Sequence, residues 1–330
     1  MKLSTKTSFN LDQIKVSLSK GLPYIEFHTE YSDFQKDIDF QRIRDLLDEN
    51  NVSCLTVHSP ITDNSNNFDT ISLGTLYKEN RRNNIELYKK CIIAANILSS
   101  SSNPVVVAHI GTGYNLNDSA LNNLSEEDIQ KILNEAKDDL TEINSYIDEN
   151  YPGTIFAVEN MPHFSYNSKG DMFGWYFGTG HDLPIFIEQL DLPNIKTCLD
   201  ICHIQMSIAI DKLSNPYKNN TVTDYIKSYA NSIGLVHLNK AVGLGERQLT
   251  HSQPYDPNNE EDLNILSEII SCFYENNYSC PITLEINDTD YSKQLNTDLM
   301  IQSLVKVYKL NKEPSLYRTL TNRNIINIKK

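Results

Sequence analysis

Short β-branched or aromatic runs alternate along this chain with longer stretches whose apolar residues recur at helical spacing. The runs at 3–9, 23–28, 53–58, 105–109, 154–159, 196–200, 234–238 and 282–286 read as strands. Helical patterns at 11–20, 34–49, 77–98, 126–148, 183–190, 225–232, 261–276 and 293–310 follow them in turn. The clearest helix places Ile129, Ile132, Leu133, Ala136, Leu140, Ile143 and Ile147 on one face, behind a Ser125-Glu126-Glu127 start. Strict alternation predicts a parallel sheet. Eight strand–helix pairs predict a single (β/α)8 barrel over 1–310, its active face at the C-terminal ends of the strands. A doubly wound open sheet would bring a Gly-rich phosphate turn after an early strand, and Gly111-Thr112-Gly113 is too short to be one. The extension at 311–330 has no strong periodicity, and is expected to lie on the surface or to pack on a partner subunit of a homo-oligomer.

The polar residues that break this pattern stand at strand ends. His58 closes the third strand, His109 the fourth, Glu159 the fifth and Asp200 the sixth, with His203 three residues on. His237 closes the seventh, and Glu285 stands near the end of the eighth. Parallel barrel strands end on one face, so these side chains should converge there. A lone imidazole or carboxylate after an apolar run is an ordinary satisfied polar residue. Six successive strand ends offering such groups form a set whose carboxylates would repel unless a proton or cation neutralised them. Mixed imidazole and carboxylate donors suit zinc, manganese or iron better than calcium. A divalent-metal site is therefore expected.

Composition narrows the partners. With 43 acidic and 29 basic residues the formal charge is −14, which offers no basic face for nucleic acid. No run of apolar residues is long enough to span a membrane, and the start lacks the apolar core of a signal peptide. The six cysteines are scattered, without CxxC spacing, which fits reduced thiols in a cytoplasmic protein.

Several segments resemble the xylose-isomerase-like, or endonuclease-IV-like, TIM-barrel superfamily (AP endonuclease family 2). Leu199-Asp200-Ile201-Cys202-His203 resembles its LDxxH segment, and Val236-His237-Leu238-Asn239 its HxN segment. Ala157-Val158-Glu159-Asn160 resembles its xEN segment, and His109-Ile110-Gly111 its HxG segment. The resemblance implies that Glu159, Asp200, His237 and Glu285 form the shared metal site, and that His58 and His109 hold a second metal as in the endonuclease branch. His203 and His251 resemble members of a third site, but that pattern expects an Asp where Leu249 stands, so one or two metals are implied.

The resemblance leaves several reactions open. In a sugar or polyol isomerase or epimerase, Glu159 and Glu285 would shuttle a proton from opposite faces of a small carbohydrate-like substrate. In a phosphodiester hydrolase paired metals would activate water. The histidine pair favours that second reading. Ile61-Thr62 and Asn239-Lys240 depart from the nuclease pattern. Other metal-dependent hydrolysis or oxidation, of a small molecule or peptide, and a purely binding role complete the alternatives. Candidate substrate contacts are Glu26 and His28 at the end of the second strand, Lys240 and Arg247 after the seventh, and Trp175 in the aromatic loop 161–181. That loop would serve as a lid, a sugar-stacking wall, or a self-packed surface.

Overall fold

The computed structural model describes residues 2–63, 71–75, 78–100, 103–111, 113–115, 125–162, 164–166, 172–175, 182–214, 220–242 and 250–311. The extension beyond 311 and most of loop 161–181 lie outside the described residues. Eight parallel strands close into a barrel: β1 Leu3–Thr7, β2 Tyr24–His28, β3 Ser53–His58, β4 Val105–Ala108, β5 Ile155–Glu159, β6 Ile195–Asp200, β7 Ile233–His237 and β8 Ile282–Leu284. Each pairs with its sequence neighbours, and β8 closes on β1 through Leu3↔Ile282 and Thr5↔Leu284. The chain is a single TIM barrel, not an open sheet.

Helices surround it: α1 Leu11–Ser19, α2 Phe40–Glu49, α3 Arg81–Leu98, α4 Glu126–Asn150, α5 Asp182–Leu190, α6 Ile201–Ser214, α7 Val222–Ser228, α8 Glu260–Glu275 and α9 Leu295–Asn311. Several start on the side chain their sequence offers. Asn10 caps α1, Asp39 accepts from Arg42 N at 2.9 Å, and Ser125 with Asp128 forms a capping box on α4. Two expected elements differ. The helix expected at 34–49 begins at Phe40, because Tyr31–Gln35 forms a separate 3-10 turn and Asp39 caps the helix after it. Between β6 and α7 lies α6, where no helix was expected. Its Ile204, Met206, Ile208 and Ile210 fall on alternate positions, a strand-like pattern, and it starts directly on Asp200 with no polar break.

Alternation along the strands divides the buried residues into two sets. One residue set packs outward against the helices, including Val106, Ala108, Phe156, Val158, Leu199 and Val236. The intervening positions Val105, Val107, Ala157, Cys198 and Leu235 form a separate inner cluster. Across the barrel the inner layer turns polar: Ser4 Oγ and Thr283 Oγ1 lie 2.8 Å apart, and Thr283 Oγ1 donates to Glu26 at 3.0 Å. Two residues further along the strands, the same inward positions carry Lys6, His28, His58, His109, Glu159, Asp200, His237 and Glu285. The period of two thus delivers a ring of polar side chains to the C-terminal mouth.

Above that mouth the segment after β4, Gly113–Asn115, pairs antiparallel with Met172–Trp175, which pairs with Phe164–Tyr166. After β7, Lys240–Val242 pairs with Thr250–Gln253. Among the described residues, no helix is long and apolar enough to cross a membrane.

Candidate metal centre

Glu159 lies at the middle of the ring. Its Oε1 is 2.7 Å from His237 Nδ1, and its Oε2 is 3.0 Å from His109 Nε2 and 3.4 Å from His58 Nε2. His237 Nδ1 also lies 3.3 Å from Glu285 Oε2 and 3.8 Å from Asp200 Oδ2. Donor atoms of Glu159, Asp200, His237 and Glu285 all fall within 4.8 Å of one another, as do those of His58, His109 and Glu159. Two ligands on one ion at about 2.2 Å can be at most about 4.4 Å apart. The observed sets are within a few tenths of an ångström of that limit.

Neighbouring groups fix the orientation of these donors. Glu26 Oε2 lies 3.2 Å from His237 Nε2, so the imidazole gives that N–H to a fully buried carboxylate and turns Nδ1 to the cluster. His58 Nδ1 lies 2.8 Å from Ser59 O, which leaves Nε2 for the Glu159 side. Asn160 accepts from Asp200 N at 2.7 Å and donates to Asp200 O at 3.2 Å, clamping the ends of β5 and β6 together. Asn239 donates to Asp200 Oδ2 at 2.8 Å and Glu285 Oε2 at 3.3 Å, and accepts from Cys202 N at 3.0 Å. Asp200 Oδ1 accepts from His203 N at 2.8 Å and so caps the first turn of α6.

Four carboxylates, Glu26, Glu159, Asp200 and Glu285, are buried here, and their charges are held unequally. Burial opposes ionisation of Glu159, but the His237 cation and the bonds to His109, His237 and His58 hold its carboxyl well below the usual range. Burial likewise opposes the Glu285 charge, and Lys6 and His237 outweigh it. Burial pushes Asp200 up. His237 is driven well above its ordinary value, against burial, by the carboxylates of Glu26, Glu159 and Glu285. A divalent cation among these donors would offset the same carboxylate charges and displace the protons from the imidazoles. The donor set fits such an ion. Burial pushes the Cys198 and Cys202 thiols up, so both stay protonated beside it.

The structure brings together His58, His109, Glu159, Asp200, His237 and Glu285. His203 stands beside Asp200, its Nδ1 2.8 Å from Asn160 O. His251 is exposed at the rim, its ring 6.0 Å from that of His203, and belongs to none of the converging donor sets among the described residues. Glu26 is enclosed by His237 and Thr283, which makes it an orienting group. His28 stacks on His58, centroids 4.5 Å apart. Lys240 pairs with Asp262 at 2.5 Å, away from the cluster. Trp175 lies in the strand paired with Gly113–Asn115, and Arg247 lies outside the described residues.

Three contributors escaped the sequence reading. Asn160 and Asn239 sit inside the xEN and HxN segments, where their amides follow directly from the motifs. Lys6 gave a signal only through alternation: it is the inward residue two after Ser4 in β1. Its Nζ donates to Asn287 Oδ1 at 3.1 Å and Glu285 Oε1 at 3.4 Å.

The chain matches the family model described as xylose isomerase-like TIM barrel over residues 14–307, and it belongs to that family. No curated protein matches it by sequence similarity. Among solved structures it resembles a 3-keto-D-glucoside 4-epimerase from E. coli, with TM-score 0.64, 12% identity, and 94% of this chain and 99% of that one covered. It resembles the IolI protein with a bound zinc atom, with TM-score 0.63, 14% identity, and 94% and 99% covered. It also resembles an AP endonuclease of family 2 from Brucella melitensis, with TM-score 0.61, 15% identity, and 88% and 95% covered. At these identities the likeness is one of fold.

Proposed function

We propose that this protein is a divalent-metal-dependent isomerase or epimerase of a sugar or related small polyol. The observation that carries the reading is the buried convergence of Glu159, Asp200, His237 and Glu285 donor atoms within 4.8 Å at the barrel mouth. These four residues would hold one ion, and His58 and His109 with Glu159 a second; zinc, manganese and iron suit the donors. A bound ion would polarise adjacent substrate oxygens and acidify the intervening C–H.

The chain's own residues supply the proton handling. Glu159 and Glu285 reach the site from β5 and β8 and meet at His237 Nδ1, at 2.7 and 3.3 Å. Both are held ionised by their neighbours, so either can remove the substrate proton at a carboxylate oxygen, while the other, having first taken a proton from water, returns it from the opposite side. Asn239 holds Glu285 and Asp200 in place, and Glu26 keeps His237 in one orientation. The inner barrel beneath, lined by Val105, Val107, Ala157 and Leu235, excludes water from below. The neighbouring epimerase fold and the zinc-bearing one support this reading without deciding the substrate.

A second reading, two-metal phosphodiester hydrolysis, is favoured by the His58–His109–Glu159 set. The experiment that separates them uses metal-loaded protein in D2O with a panel of aldoses, ketoses and inositols. Solvent deuterium should enter a substrate C–H, and Glu285→Gln should abolish that exchange in a folded, metal-containing protein. Cleavage of abasic-site DNA without exchange in any sugar would replace the first reading by the second.

A further inference from the structure

Lys6 and His28 lie outside the two ligand sets assigned above, although a His28 ring nitrogen falls within 4.8 Å of donor atoms of His58 and Glu285, and both line a cavity of about 710 Å³ between the segments that follow β1, β2 and β8. Lys6 is nearly enclosed, with 11% of its side chain exposed. Its ammonium has three N–H donors. Glu285 and Asn287 take two of them, and the third has no partner among the described residues. The ring nitrogens of His28 likewise have no hydrogen-bond partner among the described residues, while one face of the ring is stacked on His58 at 4.5 Å. The inner end of the cavity therefore offers a spare N–H and an imidazole beside Glu285 and His58.

Charge in the cavity is matched. Lys36 lies 3.7 Å from Asp33, Lys6 is paired with Glu285, and Glu30 adds a further acid. A phosphate or carboxylate entering here would meet no unmatched cation and several carboxylates, an arrangement that repels it. The remaining polar lining is uncharged. Gln13 accepts from Ser8 at 2.7 Å and Asn10 caps α1 through Oδ1, which leaves both amide NH2 groups as donors. Phe9 supplies an apolar wall, braced by Phe27 at 4.9 Å. Size matters too. At about 710 Å³ the cavity lies within the range of pockets that take small ligands, and it has room for more than one sugar ring.

We infer that this cavity takes an uncharged polyhydroxylated substrate larger than one hexose, such as a glycoside or disaccharide, and that Lys6 binds the substrate oxygen nearest Glu285. This rests on the sugar reading above and names the class of sugar. Hydroxyl-rich ligands need interspersed donors and acceptors of the kind found here, and an aromatic wall to cover a ring face. Lys6 is a substrate-binding residue in this scheme, because its third N–H is directed to the ligand while the other two tie it to the centre.

The test uses the full-length protein loaded with manganese or zinc. Calorimetric titration compares neutral disaccharides and methyl glycosides, their parent hexoses, and the corresponding hexose 6-phosphates and uronic acids. At least one neutral disaccharide or glycoside should bind about tenfold or more tightly than its parent hexose, and phosphorylation or oxidation to the acid should weaken binding. Lys6→Met, read in samples of wild-type metal content, should weaken that ligand about tenfold or more. Gln13→Ala, at the outer part, should weaken the disaccharide and leave the hexose unchanged. Tighter binding of the phosphates or acids, equal binding of the hexose, or wild-type affinity in Lys6→Met would each overturn the inference while leaving the metal-dependent sugar reading standing. Metal-loaded protein that binds no sugar of any kind would overturn both.

Discussion

Replacing Glu26 by Gln isolates the orienting role of a residue that is not itself a proposed ligand. Gln keeps the shape of Glu26 and can still accept from His237 Nε2, now 3.2 Å away, and from Thr283 Oγ1 at 3.0 Å. What it loses is the buried negative charge that raises the basicity of His237. Loss of such a partner typically weakens metal affinity about 10–100-fold. If the wild-type protein is studied at a free metal concentration of about 100 times its Kd, the metal stabilises the fold by about 2.7 kcal/mol. At the same concentration the variant would gain only about 0.4–1.4 kcal/mol. With about 2 cal/mol/K of unfolding entropy per residue, the metal-induced rise in Tm should fall from about 4 °C to about 2 °C or less. Without metal the change in stability should be smaller, because the lost attraction to the protonated His237 is offset by relief among four crowded carboxylates. Thermal melts with and without zinc, backed by chelator competition, measure both halves. A variant with an undiminished metal-induced shift would refute the orienting role, and one destabilised equally in both states would show that Glu26 is simply a structural residue.

Other consequences are independent of that one. The double variant His58→Ala/His109→Ala should lose one metal equivalent by elemental analysis if these residues hold a second ion; unchanged stoichiometry refutes the assignment. The metal-free protein holds protons on His58 and His237 more tightly than free histidine does, so metal binding near pH 7 should release protons and affinity should fall as pH is lowered. Calorimetry in buffers of different ionisation enthalpy reads that release, and zero release would contradict it. Gly74→Ala should destabilise by more than about 2 kcal/mol in denaturant titration, since Gly74 has φ +63° and an added Cβ would come within 2.7 Å of Ala136 Cβ and Ile132 O. A variant of wild-type stability would show that α4 can move away.

Much of this arrangement was legible because a parallel barrel converts strand register into position. Each strand end that offered a His, Asp or Glu sits at the mouth, since side chains two residues apart point to the same side of a strand and all eight strands end on one face. Reading only the last residue of each strand hid Lys6. A lysine in Leu-Ser-Thr-Lys-Thr looks like an ordinary polar strand position until the barrel closes and turns it inward. Asn160 and Asn239 were hidden for a different reason: an amide has no charge to betray it, and its value lies in reaching two strands at once. The helix α6 escaped because Ile204, Met206, Ile208 and Ile210 alternate along the chain and so spread around the helix, which erases the amphipathic signal. His251 is the opposite case. It has the right residue type, but lies at the exposed rim beyond the converging donors.

The most direct test of the metal centre is a crystal structure of the purified protein with anomalous scattering recorded at the zinc, iron and manganese edges, paired with elemental analysis of the same sample. The account predicts one or two ions, the first bound by Glu159, Asp200, His237 Nδ1 and Glu285 at about 2.0–2.2 Å. A second would lie between His58, His109 and Glu159. A protein that, after incubation with these metals, carries no ion at Glu159 and still folds with His237 bonded to Glu159 and Glu26 would contradict it.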